Sequence, residues 1–119
     1  MSRVLGAIVS LILLAAPAFG HSSLVRSEPK DGETQKVAPL EIRFWFSEPI
    51  KVGLSTFAVR DANGKQVDQG DLRADEKQPA LVRLSLPSSL EPGLYKVSWS
   101  AVAQDLHVGK GGFSFRIAP

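Results

Sequence analysis

Cysteine is absent from this 119-residue chain. That excludes disulfides, zinc–thiolate sites and a thiol nucleophile. The single methionine is Met1, and histidine occurs only at His21 and His107. Soft donors are therefore nearly missing, and a Cu(I) site built on sulfur has nothing to stand on. Charge of one sign is also scarce: 14 basic residues face 12 acidic ones, with no basic run. Nucleic acid is a poor partner for such a chain, because phosphate binding needs clustered Lys and Arg. The serines have neither a nucleophile-elbow context nor a histidine set to activate them, so hydrolase chemistry has no support. No amphipathic helix, internal repeat or low-complexity tract stands out.

The one long apolar run lies at the start. Arg3 precedes Val4 to Ala16, a stretch of 13 residues. Spanning a bilayer takes roughly 20. Pro17 breaks the run, and Ala18 and Gly20 place small residues at −3 and −1 of a cut before His21. The pattern predicts a cleaved secretory leader over 1–20 and a single exported domain over 21–119, with no membrane insertion after cleavage. A cut after Ala18 also satisfies the small-x-small rule, and the cut before His21 is preferred. Losing the leader removes only Arg3, leaving 13 basic and 12 acidic side chains, a net of +1. Without disulfides the remainder must rely on an ordinary apolar core, which about 99 residues can supply.

Past the leader the apolar pattern has period two. "LEIRFWF" sets Leu40, Ile42, Phe44 and Phe46 against Glu41, Arg43 and Trp45. Tyr95, Val97, Trp99 and Ala101 alternate with Lys96, Ser98 and Ser100; Val82, Leu84, Leu86 and Phe113, Phe115, Ile117 repeat the scheme. Half-buried antiparallel strands require such alternation. "TFAVRD" runs into Asn63-Gly64, a hairpin signal. The breaks "SEPKDGE", "SEPIKVG", "LPSSLEPG" and "VGKGG" are rich in Pro, Gly, Asp and Ser. Short strands between such clusters predict an all-β sandwich or barrel. Trp45 falls on the polar side of its strand and reads as an isolated exposed aromatic rather than a ligand platform. Glu48, before Pro49, reads as a turn carboxylate, with a histidine partner as the other option.

Asp105 and His107 are two apart, so in an extended segment they project to one side, continuing the inward parity of Tyr95 to Ala101. A buried carboxylate and imidazole need a partner. A chain beginning at His21 offers both an α-amine and a ring. Together with His107 and Asp105 it makes an N,O donor set suited to tetragonal Cu(II); zinc takes the same donors as a tetrahedron. On composition alone, incidental histidines on a structural module remain the alternative.

Several of these residues together resemble the copper-resistance protein C (CopC) family of exported copper-binding proteins. "HSSLVRSEPKDGE" begins with histidine and carries Ser27, Pro29 and Gly32; "IRFWFSEPI" ends its strand in Phe-Ser-Glu. In "LEPGLYKVSWSAVAQDLHVGKGGFSFRI", Gly93, Tyr95, Val97, Trp99, Ala101, Asp105, His107, Gly111 and Phe115 fall at the family's spacing. The resemblance implies a Greek-key β-sandwich of cupredoxin or immunoglobulin-like type, with about seven strands. It implies one Cu(II) ion held by His21, Asp105 and His107, and no catalysis. It suggests a periplasmic carrier or buffer in copper resistance or homeostasis that hands copper to an inner-membrane transporter. Two departures stand out: no methionine-rich loop lies between Thr56 and Leu81, and Val108 follows His107 where proline is common. A copper monooxygenase with an N-terminal histidine shares the ligand chemistry, but the chain is small for one and shows no aromatic-lined binding face.

Overall fold

The computed structural model describes residues 22–119; the expected leader and His21 lie outside the described residues. Eight strands and one turn of 3-10 helix follow in order: β1 Leu24–Glu28, β2 Thr34–Gln35, β3 Glu41–Phe46, the 3-10 turn Val52–Leu54, β4 Thr56–Arg60, β5 Arg73–Ala74, β6 Leu81–Ser85, β7 Gly93–Val102 and β8 Val108–Ile117. They form two four-stranded sheets, β1-β3-β6-β5 and β2-β8-β7-β4. Every pairing is antiparallel except β2 with β8. Every connection except β5–β6 and β7–β8 crosses from one sheet to the other. The expected all-β sandwich is what the chain adopts. The strand count exceeds seven because β2 and β5 are two-residue strands with no pattern of their own.

The period-two residues close the core. Ile42, Phe44, Phe46, Val82, Leu84 and Leu86 from one sheet meet Val97, Ala101, Phe113, Phe115 and Ile117 from the other, all buried. Phe44 lies edge-on to Phe57 at 4.9 Å and to Trp99 at 5.9 Å between ring centroids. Trp99 stacks on Phe57 at 6.0 Å. Such aromatic pairs add about 0.5–1.5 kcal/mol each beyond burial. Trp99 also explains a glycine: Gly111 faces it across β7–β8, and a Cβ there would sit 2.5 Å from the indole.

Two expectations need correction and a third holds. Leu40 is exposed and precedes β3, because the Leu86 N–H takes its carbonyl just outside the ladder. "VGKGG" is not a break but the first half of β8, where small residues let Trp99 and the β7 backbone approach. Asn63-Gly64 does turn the chain, with Gly64 at φ +83° and its N–H on the Asp61 carbonyl at 2.9 Å. The returning segment folds back antiparallel on β4 through the Arg60–Gln66 bridge, the Asp61 N–H on the Lys65 carbonyl at 2.9 Å and the Val67 N–H on the Val59 carbonyl at 2.8 Å, while the long ladder of β4 is with β7.

The outer face of the first sheet is charged and mutually satisfied. Arg83 joins Glu41 to Asp75, and Arg43 joins Glu28 to Glu41. Arg73 joins Glu41 to Asp71. Trp45 lies on this face under the Arg26 guanidinium, 3.8 Å from the ring centroid. Its ring is half-buried beneath that guanidinium rather than standing alone in solvent as expected.

Candidate metal centre

The β7–β8 hairpin is the longest ladder in the molecule, and Asp105 and His107 occupy its tip. Inward parity continues only to Ala103, which bridges to Ile50. Beyond that the chain turns. The Leu106 N–H donates to the Ala103 carbonyl at 2.9 Å, and the Ala103 N–H to the His107 carbonyl at 2.8 Å. Such a three-residue hairpin loop puts its third residue in the left-handed region, normally a glycine position. Here that residue is Leu106, at φ 73°. The conformation costs a non-glycine residue about 1–2 kcal/mol.

This turn, not an extended strand, joins the two candidate ligands. The Asp105 Oδ1 accepts the His107 N–H at 3.0 Å, and Oδ2 lies 2.8 Å from the His107 Nδ1. Left-handed backbone at Leu106 is what folds His107 back over Asp105. The pair is accessible, with the His107 side chain 65 % and the Asp105 side chain 35 % exposed. Burial therefore does not force a partner on it; the exposed position suits an exchangeable ligand.

The 2.8 Å between Nδ1 and Oδ2 is the length of a hydrogen bond between an imidazole and a carboxylate, so the tip holds the two side chains against each other. Among the described residues no group of three or more His, Cys, Asp or Glu gathers that could hold a metal ion. Within those residues the tip supplies two donors.

The start of the described chain passes Gly109, two residues after His107. The buried Ser22 donates its Oγ–H to the Glu48 carbonyl at 2.6 Å. The Ser23 N–H donates to the Ser47 Oγ at 3.0 Å, and the Ser47 N–H to the Ser23 carbonyl at 2.8 Å. A Cβ on Gly109 would point at the Ser22 carbonyl, 3.5 Å away. Residues two apart along a strand face the same side, so Ser22 arrives on the side of the hairpin to which His107 belongs. Sequence reasoning missed this serine clamp, since nothing in "HSSL" or "FSEP" marks a hydroxyl for a carbonyl 26 residues away. Glu48 takes part through its backbone oxygen rather than its carboxylate.

Comparison with known proteins agrees with this architecture. The model of the CopC domain matches residues 24–118. Copper resistance protein C of Xanthomonas campestris pv. juglandis is 30% identical over 114 residues, covering 92% of this chain and 89% of the relative. The crystal structure of CopC from Methylosinus trichosporium OB3b superposes with a TM-score of 0.77 at 25% identity, covering 83% of this chain and 95% of that one. PcoC, a methionine-rich copper resistance protein from Escherichia coli, gives a TM-score of 0.70 at 25% identity, over 82% and 98%. With the match spanning nearly all described residues, the chain belongs to the CopC family of copper resistance proteins, which bind copper and are not enzymes.

Proposed function

We propose that this protein is an exported Cu(II) carrier or buffer that binds one ion at the tip of the β7–β8 hairpin. The ligands are the α-amine and ring of His21, the ring of His107 and a carboxylate oxygen of Asp105. The observation that carries the reading is the Asp105–His107 pair, hydrogen-bonded at an exposed hairpin tip two residues before Gly109, which the start of the described chain passes. His21 is one peptide unit from Ser22, about 3.8 Å between Cα atoms. The serine clamp thus holds the residue next to the missing nitrogen donors. Hard N and O donors, with no sulfur in the chain after Met1, favour Cu(II) over Cu(I). Exposure at a hairpin tip allows copper to pass to a recipient such as an inner-membrane transporter, and residues 1–20 act as the leader that delivers the domain to the periplasm.

Copper titration followed by electron paramagnetic resonance tests this. One equivalent should bind with nitrogen hyperfine structure. Blocking the amine or making His107→Ala should weaken binding more than about 100-fold, and Asp105→Ala less. Affinity should fall in acid, since each nitrogen must shed a proton to bind. Unchanged affinity in all three variants would remove the site, as would an intact mass showing a chain that begins at Phe19.

A further inference from the structure

The outer face of the second sheet differs in kind from that of the first. Its outward positions form rows across the strands: Leu94–Arg116, Arg60–Lys96–Ser114, Ala58–Ser98–Gly112, Thr56–Ser100–Lys110 and Val102–Val108, the last with Val102 buried and Val108 exposed. Every charge in these rows is positive. Among the described residues, none of Arg60, Lys96, Lys110 and Arg116 enters an ion pair. Arg60 and Lys96 stand directly opposite each other, and like charges in that relation destabilise a sheet. Three carboxylates border these rows, each bound to N–H groups rather than paired with one of the four cations. Asp31 accepts the Ser114 N–H, Asp61 the N–H groups of Asn63 and Lys65, and Asp68 those of Val59 and Gly70. Between the basic rows lie the small residues Ala58, Ser98 and Gly112.

We infer that this face docks on an anionic bilayer surface through Arg60, Lys96, Lys110 and Arg116. Charge complementarity selects a negative partner, and composition selects lipid over protein. Protein interfaces are built around Tyr, Trp, Phe, Met and Arg and depleted in Lys, Ser and Ala. The rows contain no aromatic residue and no methionine, and six of their thirteen positions are Lys, Ser or Ala. The face also adjoins exposed aliphatic side chains at the copper end. Val108 continues the strand beyond Lys110, and Leu54 and Leu106 project from loops tied to Val102 and Ala103 through Lys51 and Leu106 backbone bonds. Basic residues beside exposed aliphatics suit the headgroup boundary of a membrane. Docked this way, the sandwich brings its hairpin tip close to the bilayer.

The test needs no copper, so its failure is distinguishable from failure of the metal reading. The protein, freed of its leader and with its start checked by intact mass, is sedimented with vesicles of phosphatidylcholine alone or mixed with phosphatidylglycerol. Binding should require the anionic lipid and vanish at high salt. Each Lys or Arg near such a surface strengthens partition about fivefold, so the double variant Lys96→Gln/Lys110→Gln should bind roughly 25-fold more weakly. The double variant should melt no lower than wild type, because Lys96→Gln relieves the opposition with Arg60. Arg43→Gln, on the other sheet, should bind vesicles as wild type does. Equal binding to neutral vesicles, or no difference in the double variant, overturns the proposal. Binding to native membranes that disappears once their proteins are digested, with none to anionic vesicles, assigns the face to an acidic protein and also overturns it.

Discussion

The two ends of one hairpin are built on opposite principles. At its root Tyr95 stacks on Phe115 at 5.5 Å, Ile117 is buried, and the Tyr95 hydroxyl donates to the Glu91 carbonyl four residues upstream. Burial pushes the Tyr95 phenol above its ordinary value, so it stays a neutral donor throughout the physiological range. At the tip Leu106 sits in left-handed backbone and the donors lie open to water. The root stores stability by burying apolar surface around a satisfied hydroxyl. The tip uses some of that stability to hold a strained turn in which two candidate ligands meet. Stability and copper affinity should therefore respond to different substitutions.

Phe44→Ala, in the aromatic cluster beneath the tip, should give the largest effect: a loss of about 3–5 kcal/mol in denaturant melts, with copper stoichiometry unchanged in the folded fraction. His107→Ala should do the reverse. Its stability should stay within about 0.5 kcal/mol of wild type, as at other exposed sites, while copper affinity collapses. If His107→Ala also unfolds apo-protein, the two ends are not separable. Gly111→Ala forces the Trp99 indole to move and should cost about 1–3 kcal/mol, read together with a change in tryptophan emission. Tyr95→Phe removes one hydrogen bond at the root and should cost about 1 kcal/mol with no change at the tip.

Acid should separate the two ends by pH. Asp75 is held below its ordinary 3.8 by the Arg83 side chain, then by the Lys77 and Gln78 N–H groups. Burial raises Asp71, but hydrogen bonds from Ser85 and the Arg73 charge outweigh it, and the net shift is also downward. A depressed carboxyl stabilises the fold above its unfolded value, and that contribution fades as pH falls below about 3.8. Copper should leave the tip at milder acidity, with the fold intact by circular dichroism. Simultaneous loss of metal and fold would contradict this ordering.

The strands were legible because their signal is local. Alternation at Ile42–Phe44–Phe46 and Val97–Trp99–Ala101 reports which face is buried whatever the partner strand. Pairing was not legible. Arg60 to Asn63 looks like half of a local hairpin, yet β4 pairs with a strand some forty residues later, since the larger apolar area lies there. "VGKGG" reads as a turn by composition. Only the approach of Trp99 reveals that glycine is needed within a strand. At the candidate site Asp105 and His107 were picked out by residue type and spacing, but the reason for their meeting was misjudged. A left-handed leucine between them has no sequence signature.

By itself the sequence determined the chemistry available: hard N and O donors, no thiol, alternating strands and residues at the CopC spacing. Those depend on side-chain identity and on a two-residue period. Tertiary structure decided where that chemistry is placed. It bent the 103–107 turn, clamped Ser22 beside Gly109, and put paired charges on one sheet and, among the described residues, cations without ion pairs on the other. Each of these joins residues far apart in the chain or depends on a backbone angle. No local pattern encodes either; only the packing of two sheets brings them about.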